Sequence, residues 1–280
     1  MKPNFIIIGA ARSGTTSLYK YLDAHPDIFM SDIKEINFFS NERYWKKGKK
    51  WYEAHFRGAV ESAIGEASTS YTNYPIMQNV PRRLAEYLPD VKFIYILRDP
   101  IDRLVSHYLH KIRRGEERRE LTEIIYNYPD DQLIWQGKYY SQLEQYMEYF
   151  SMNSFLIITI NELKDKPDVV VKKIYKFLGV SHDFNHTNLK KAHNANRSIT
   201  RKNWFGHKVL HFYHKSIEQR NFPYPFKKLF INLAEIGAVE ISNPKLSDDN
   251  CKHLKDIFRE DVEKITKTLG VENLGWRDYF

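Results

Sequence analysis

Nine consecutive positions, Gly9-Ala10-Ala11-Arg12-Ser13-Gly14-Thr15-Thr16-Ser17, hold two glycines, one arginine and four hydroxyl side chains. The apolar run Phe5-Ile6-Ile7-Ile8 before them reads as a short buried strand. Leu18, Tyr21 and Leu22 after them recur at helical spacing. Free N–H groups at the start of such a helix, with the positive end of its dipole, favour an anion, and glycine lets the backbone approach it closely. The segment is therefore a candidate phosphate cradle. It departs from the loop of P-loop nucleotide hydrolases, in which a lysine follows the second glycine. Here Thr15 holds that place and the cation, Arg12, lies inside the loop. That displacement argues against ordinary ATP or GTP hydrolysis. The glycine spacing alone also occurs in plain strand-to-helix turns; Arg12, Ser13, Thr15 and Thr16 are what mark this one for an anion.

A second segment offers a second cation. Val91-Lys92-Phe93-Ile94-Tyr95-Ile96-Leu97 reads as a strand that runs into Arg98-Asp99-Pro100, with Asp99 as helix N-cap and Pro100 in the first turn. Arg103, Ser106 and His107 then fall on related faces of that helix. In a parallel sheet Arg98 leaves the carboxyl end of its strand, where open α/β sheets bind ligands. Arg98 and Ser106 are thus placed to hold a second phosphate, one by a charged fork and one by a hydroxyl. The competing reading pairs Arg98 with Asp99 or Asp102.

These two segments together resemble the sulfotransferase family that uses 3′-phosphoadenosine 5′-phosphosulfate (PAPS). Gly9 to Leu18 is similar to its 5′-phosphosulfate loop and Leu97 to Tyr108 to its 3′-phosphate motif. The order of His25-Pro26-Asp27, Lys34-Glu35-Ile36-Asn37-Phe38-Phe39, Gly65-Glu66-Ala67-Ser68 with Tyr71, Gly137-Lys138-Tyr139-Tyr140, and Glu162-Leu163 through Phe177-Leu178-Gly179 follows glycan-modifying and bacterial members. Leu269-Gly270 to Trp276 fits as well. The resemblance covers most of residues 4 to 180 and returns near the C-terminus. It implies an α/β, P-loop-like three-layer fold with a central parallel sheet flanked by helices. It also implies transfer of a sulfuryl group to a hydroxyl or amine of an acceptor, releasing adenosine 3′,5′-bisphosphate (PAP) without a metal.

Such transfer needs nucleophile and leaving group aligned and the charge on bridging and equatorial oxygens neutralised. By the resemblance, Arg12, Ser13, Gly14, Thr15, Thr16 and Ser17 hold the 5′ end, with Arg12 on the leaving oxygen. Arg98 and Ser106 hold the 3′-phosphate. Tyr139 and the basic late loop Arg197, Arg201 and Lys202 are further cofactor contacts. Glu35 is the base that takes the acceptor proton, with Lys34 beside it as a catalytic cation; Phe38 and Phe39 are expected to desolvate Glu35. On its local sequence alone, Lys34-Glu35 also reads as a surface ion pair. Two departures stand out. Heparan-type members carry a lysine where this chain has Ala67, and a disulfide where this chain has the single Cys251. The small-molecule branch of the family uses a catalytic histidine, and His25, His107, His110 and His193 keep that alternative open.

The elements needed to position these groups are legible as alternating patterns. Strand candidates lie at 4–8, 62–66, 91–97 and 154–160. Helical patterns lie at 15–24, 76–88, 101–114, 140–150 and 168–178, which reads as a parallel sheet covered on both faces. Residues 181–245, interrupted by Pro223, Pro225 and Pro244, break that rhythm and read as a lid or acceptor-side cap. Residues 247–269 read as an amphipathic helix packing through Leu254, Ile257, Phe258, Val262 and Ile265. At 280 residues with 42% hydrophobic composition, one domain spanning 1–280 is expected.

Met1-Lys2-Pro3-Asn4 leads straight into the first strand, with no apolar run that reads as a signal peptide or membrane span, and with one cysteine a cytoplasmic setting is expected. The formal net charge of +8 points to anionic partners. Lys46-Lys47-Gly48-Lys49-Lys50 and the run from Lys111 to Arg119 are dense enough to steer an acidic polymer; runs of this kind also serve as solvated faces. No zinc-finger spacing or RNP-type motif supports nucleic acid. A P-loop kinase or hydrolase is opposed by the missing loop lysine, and a noncatalytic glycan- or polyanion-binding protein leaves both phosphate motifs unexplained. Aromatic residues near Glu35, among them Trp45, Trp51, Tyr52, Tyr71 and Tyr74, suit stacking on sugar rings, so a carbohydrate acceptor is expected.

Overall fold

The computed structural model describes residues 1–184, 199–217, 222–242 and 244–280. Its centre is the strand that feeds the glycine-rich loop, β1 (Phe5–Gly9), buried along its whole length. Phe5 and Ile7 point into one apolar cluster, Ile6 and Ile8 into the other. A strand apolar in both alternating directions suits a parallel sheet covered on both faces. β1 pairs in parallel with β3 (Ala63–Ala67) on one side and β4 (Lys92–Leu97) on the other, Ile7 lying opposite both Ala67 and Ile94. β2 (Ile28–Met30) lies outside β3, and β5 (Phe155–Thr159) outside β4, so the order is β2-β3-β1-β4-β5.

Helices cover both faces. α1 (Thr15–Asp23) and the helix Pro167–Leu178 pack Leu18, Leu22, Ile174 and Tyr175 into one cluster. The helices Val80–Tyr87 and Tyr139–Met147 pack Leu84, Leu143 and Tyr146 into the other. This is the three-layer α/β arrangement expected from the sequence. Proline decides several boundaries, because it lacks the N–H and favours the first helical turn. The helix expected from residue 76 starts at Val80, with Pro81 in its first turn, and those expected from 101 and 168 start at Pro100 and Pro167. β2 is a strand that the sequence pattern did not mark, because three residues are too few to establish a two-residue period.

The C-terminal helix Asp248–Leu269 buries Leu254, Phe258, Val262 and Ile265, as its stripe predicts. Leu254, Phe258 and Val262 pack with Ile101, Leu104 and Ile112 of the helix Pro100–Arg114, and Ile257 is partly buried against the same cluster. Between these parts, β6 (Ile199–Arg201) pairs antiparallel with β7 (Val239–Ile241), and the helices Trp204–Ser216 and Tyr224–Ala234 connect them. This unit joins the body where the His207 ring bonds the Gly115 carbonyl oxygen at 2.8 Å.

Two strands follow β1 on one side and the next two on the other. The direction of winding therefore changes between β1 and β4, and the segments leaving the carboxyl ends part there to leave a crevice.

Candidate active site

A cleft of about 900 Å³ opens at this crevice, and the segment after every strand of the five-stranded sheet contributes to its wall. Arg12, Gly14, Thr15, Thr16 and Ser17 come after β1, Lys34 and Glu35 after β2, Thr69 after β3. Arg98, Ser106, His107 and His110 follow β4, and Ile160, Leu163 and Lys164 follow β5.

Two backbone positions shape the glycine-rich loop after β1. Gly14, the N-cap of α1, sits at φ 91° and gives the helix no side-chain cap, so the first N–H groups of α1 are left for a ligand. Arg12 sits at φ 71°, a left-handed conformation that non-glycine residues seldom adopt and that tends to occur at functional sites. It is held there from the second motif: Arg98 Nη1 donates to the Arg12 carbonyl oxygen at 3.2 Å, and Arg12 Nε donates to Ser106 Oγ at 3.4 Å. The two segments, more than eighty residues apart in sequence, thus form one wall.

The pairing of Arg98 with Asp99 or Asp102 does not occur. Asp99 caps its helix by accepting from the N–H groups of Ile101 and Asp102, each at 3.0 Å. Arg277, from the C-terminal segment, pairs with both carboxylates, at 2.5 Å to Asp99 and 2.6 Å to Asp102. Arg98 is left facing Arg12. Burial, and then the charges of Arg113 and Arg98, lower the pKa of the Arg12 guanidinium. Cations crowded at the start of a helix make a site that an anion relieves.

The opposite wall carries the carboxylate. Glu35 is at φ 65° and Asn37 at φ 54°. The Glu35 N–H donates to the Ala67 carbonyl oxygen at 2.8 Å, and the Thr69 N–H donates to Glu35 Oε2 at 2.8 Å. Lys34 pairs with Oε1. Beneath this loop lies the fully buried Glu66, which accepts from Tyr52 at 2.6 Å, Tyr71 at 2.9 Å and Ser68 Oγ at 2.7 Å. Burial raises its carboxyl to about 7 despite those three donors. Ser68 Oγ in turn accepts from the Asn37 N–H at 3.0 Å, so the Gly65-Glu66-Ala67-Ser68 block fixes the Glu35 loop through its backbone.

Several expected residues lie elsewhere. Phe38 and Phe39 do not line the cleft; both are fully buried in an aromatic cluster with Tyr52 and Tyr71 and anchor the loop from the core. Trp45 and Trp51 pack against that same core, and none of these rings, nor Tyr74, lines the cleft wall. Ser13 is fully buried against Tyr139 rather than in the wall. The Tyr139 hydroxyl donates to the Arg98 carbonyl oxygen at 2.7 Å, which gives it a hold on the Arg98 backbone; burial raises its pKa to about 12. Arg201 and Lys202 line a separate cavity with Glu120 and Glu240. Arg201 pairs with Glu120 and donates to Tyr108, and Lys202 pairs with Glu235 at 2.5 Å. Local carboxylates have taken both cations. Arg197 and His193 lie outside the described residues. None of the described residues of 199–242 lines the cleft.

The histidines differ in kind. His25 is buried between Tyr175 and the Ser181 carbonyl oxygen, away from the wall. His107 and His110 do line the cleft. Burial and then Arg103 push the His107 pKa down to about 2, and burial and then Arg12 push that of His110 down to about 4, so both are weak bases. Thr69 and Lys164 also belong to the wall. Both lie in segments that carry the family resemblance, yet their local sequence assigns them no role; the ends of β3 and β5 bring them to the cleft. In the basic run after Lys111, Arg114 pairs with Glu116, and Arg119 with Glu117 and Asp131, so part of that charge is neutralised locally.

The family profile described as sulfotransferase domain matches residues 2–227. A bifunctional heparan sulfate N-deacetylase/N-sulfotransferase of Mus musculus is 31% identical over 203 residues, covering 66% of this chain and 23% of the relative. The chain therefore spans under a quarter of that relative's length. A sulfotransferase from Alicyclobacillus acidocaldarius superposes with a TM-score of 0.68 at 24% identity, covering 98% of both chains. A mouse sulfotransferase solved in complex with PAP superposes with a TM-score of 0.53 at 16% identity, covering 95% of this chain and 89% of its own.

Proposed function

The chain belongs to the sulfotransferase-domain family, and on that footing we propose that it moves the sulfuryl group of PAPS to a hydroxyl or amine of a carbohydrate acceptor. One observation supports the reading most: Arg12, Arg98 and the free start of α1 share a cleft wall, and Glu35 stands in the same cleft. PAPS supplies a sulfuryl group already activated by a phosphate leaving group. The N–H groups at the start of α1, with Thr15, Thr16 and Ser17, bind its 5′ end. Arg12 neutralises charge on the departing oxygen. Arg98 and Ser106 hold the 3′-phosphate. Glu35, steadied by the Thr69 N–H and Lys34, takes the acceptor proton; a base in this position contributes about 10² to 10⁴ in rate. Lys34 and Lys164 are the cations available where Ala67 leaves β3 without one.

The carbohydrate class rests on the heparan sulfate N-sulfotransferase relatives and on the positive charge of the chain, not on the aromatic rings near Glu35. The cytoplasmic setting expected from the lone cysteine remains part of this proposal.

Thermal unfolding with nucleotides tests the core of it. PAP should stabilise the fold where ATP, GTP and magnesium do little; at about a hundred times its Kd the gain is about 2.7 kcal/mol. Equal shifts with ATP, or ATP hydrolysis, would replace this reading with a kinase or hydrolase. Labelled PAPS offered with a panel of uronic-acid and amino-sugar polysaccharides then tests the acceptor class.

A further inference from the structure

The helices Trp204–Ser216 and Tyr224–Ala234 are far more apolar than their exposure warrants. Tyr-Pro-Phe-Lys-Lys-Leu-Phe-Ile-Asn-Leu-Ala carries apolar side chains on every side, a pattern that ordinarily means burial. Among its described residues Ala234 alone is buried. Tyr224 is 73% exposed and Leu229 51%; on the first helix Trp204 is 64% exposed and Phe212 53%. The rings of Phe212, Phe230, Phe226 and Phe222 follow one another at centroid separations of 5.9, 5.2 and 5.0 Å, so the apolar surface runs unbroken across both helices. Contiguous apolar surface of this kind marks an interaction site.

The surface is mounted firmly. Gly206 lets the Ala234 backbone come so close that a Cβ there would lie 2.4 Å from the carbonyl oxygen. Lys202 ties the start of the unit to Glu235, and His207 ties it to Gly115.

Charge narrows what covers it. Neither helix contains an aspartate or glutamate, whereas Lys208, Lys215 and Lys228 lie on them. Lys208 Nζ sits 3.9 Å over the Trp204 ring. A second copy docked about a two-fold axis would bring these lysines near their own equivalents, in a chain of formal net charge +8, with no acid in either helix to answer them. Aromatic rings and leucines set among lysines suit the headgroup region of a bilayer, where rings enter the acyl boundary and ammonium groups meet anionic lipid. At 13 and 11 residues the helices are too short to span, so they would lie on the membrane. We propose that this helical pair docks the protein onto an anionic lipid surface.

Cosedimentation with vesicles tests it. The wild-type chain should pellet with vesicles of phosphatidylcholine mixed with phosphatidylglycerol and stay in solution with phosphatidylcholine alone, and binding should fall as salt is raised. Lys228→Ala should weaken partition about five-fold, the share of one lysine near an anionic surface. Leu229→Ser should weaken it about ten-fold or more, the share of one buried leucine. Both positions are exposed, so circular dichroism and melting temperature should match wild type. Absence of pelleting with the anionic vesicles at low salt overturns the proposal, as does wild-type binding by both variants. A concentration-dependent dimer in sedimentation velocity that Leu229→Ser abolishes, with no vesicle binding, assigns the surface to a second copy instead. None of these readouts depends on the nucleotide cleft.

Discussion

Ser106→Ala separates the two proposed phosphate contacts within one small change. Ser106 lies inside the helix Pro100–Arg114 and lines the cleft, where its Oγ accepts the long 3.4 Å contact from Arg12 Nε. Alanine is the best helix former, and the Arg12 nitrogen at the cleft wall can turn to water. The fold should therefore change by less than about 0.5 kcal/mol. The hydroxyl offered to the 3′-phosphate is lost, and a hydrogen bond to a charged group contributes about 1.5 to 3 kcal/mol. That corresponds to a rise in the Kd for PAP of about ten- to a hundred-fold. Adenosine 5′-monophosphate lacks the 3′-phosphate, so its Kd should move by less than about two-fold. Isothermal titration calorimetry with both nucleotides reads the ratio directly. Arg98→Ala should weaken both ligands, because it also releases the Arg12 carbonyl oxygen and slackens the 5′ loop. A Ser106→Ala chain with the wild-type PAP preference would refute the assignment. Equal weakening of the two nucleotides would mean that the Arg12 contact, not the phosphate, is what the serine serves.

Glu35→Gln keeps an oxygen for the Thr69 N–H but cannot accept a proton at neutral pH. Turnover should fall by about 10² or more while the PAP Kd stays near wild type; near-normal turnover beside an inactive but folded His107→Ala chain would move the base to the histidine. Arg12→Ala should impair PAP affinity and kcat together, since its charge serves both bound and departing phosphate; a loss confined to one of them would contradict that double role. Glu66 makes stability fall with pH. Its folded carboxyl is raised to about 7 from an ordinary 4.5, so the folded state holds the proton more tightly. The contribution is whole below pH 4.5 and is lost as pH rises through 7. The expected loss is roughly 3 kcal/mol, visible in urea midpoints as a decline that Glu66→Gln lacks; parallel pH profiles for the two chains would count against it.

The glycine-rich loop was legible because its chemistry is contiguous. A strand, two glycines and a helix start supply the proposed anion site from the backbone of nine neighbouring residues, and Arg98 with Ser106 likewise share one strand-helix unit. Helix starts were legible to within a few residues at Pro81, Pro100 and Pro167, but not at Pro225, where the sequence pattern marked no helix. Residues whose roles depend on a distant partner could not be read this way. Arg277 takes Asp99 across 178 positions and thereby leaves Arg98 free for the loop. Glu120 and Glu235 take Arg201 and Lys202, which the resemblance offered as cofactor contacts. Phe38 and Phe39 looked like cover for Glu35 and proved to be core, because an aromatic residue in sequence does not declare which side of its loop it faces.

By itself, then, the sequence determined the local geometry of the proposed anion site, the alternation that makes a parallel three-layer fold, and the family to which the chain belongs. Tertiary structure alone decided which charges stay available and which are neutralised. It set Glu35 in left-handed backbone between Ala67 and Thr69, and it left Trp204, Phe212, Tyr224 and Leu229 of the late helices exposed. The physical reason is one of range. Backbone conformation and hydrophobic period are set by neighbours in the chain, whereas the partner of a charge and the cover of an apolar face are set by strand order and helix packing.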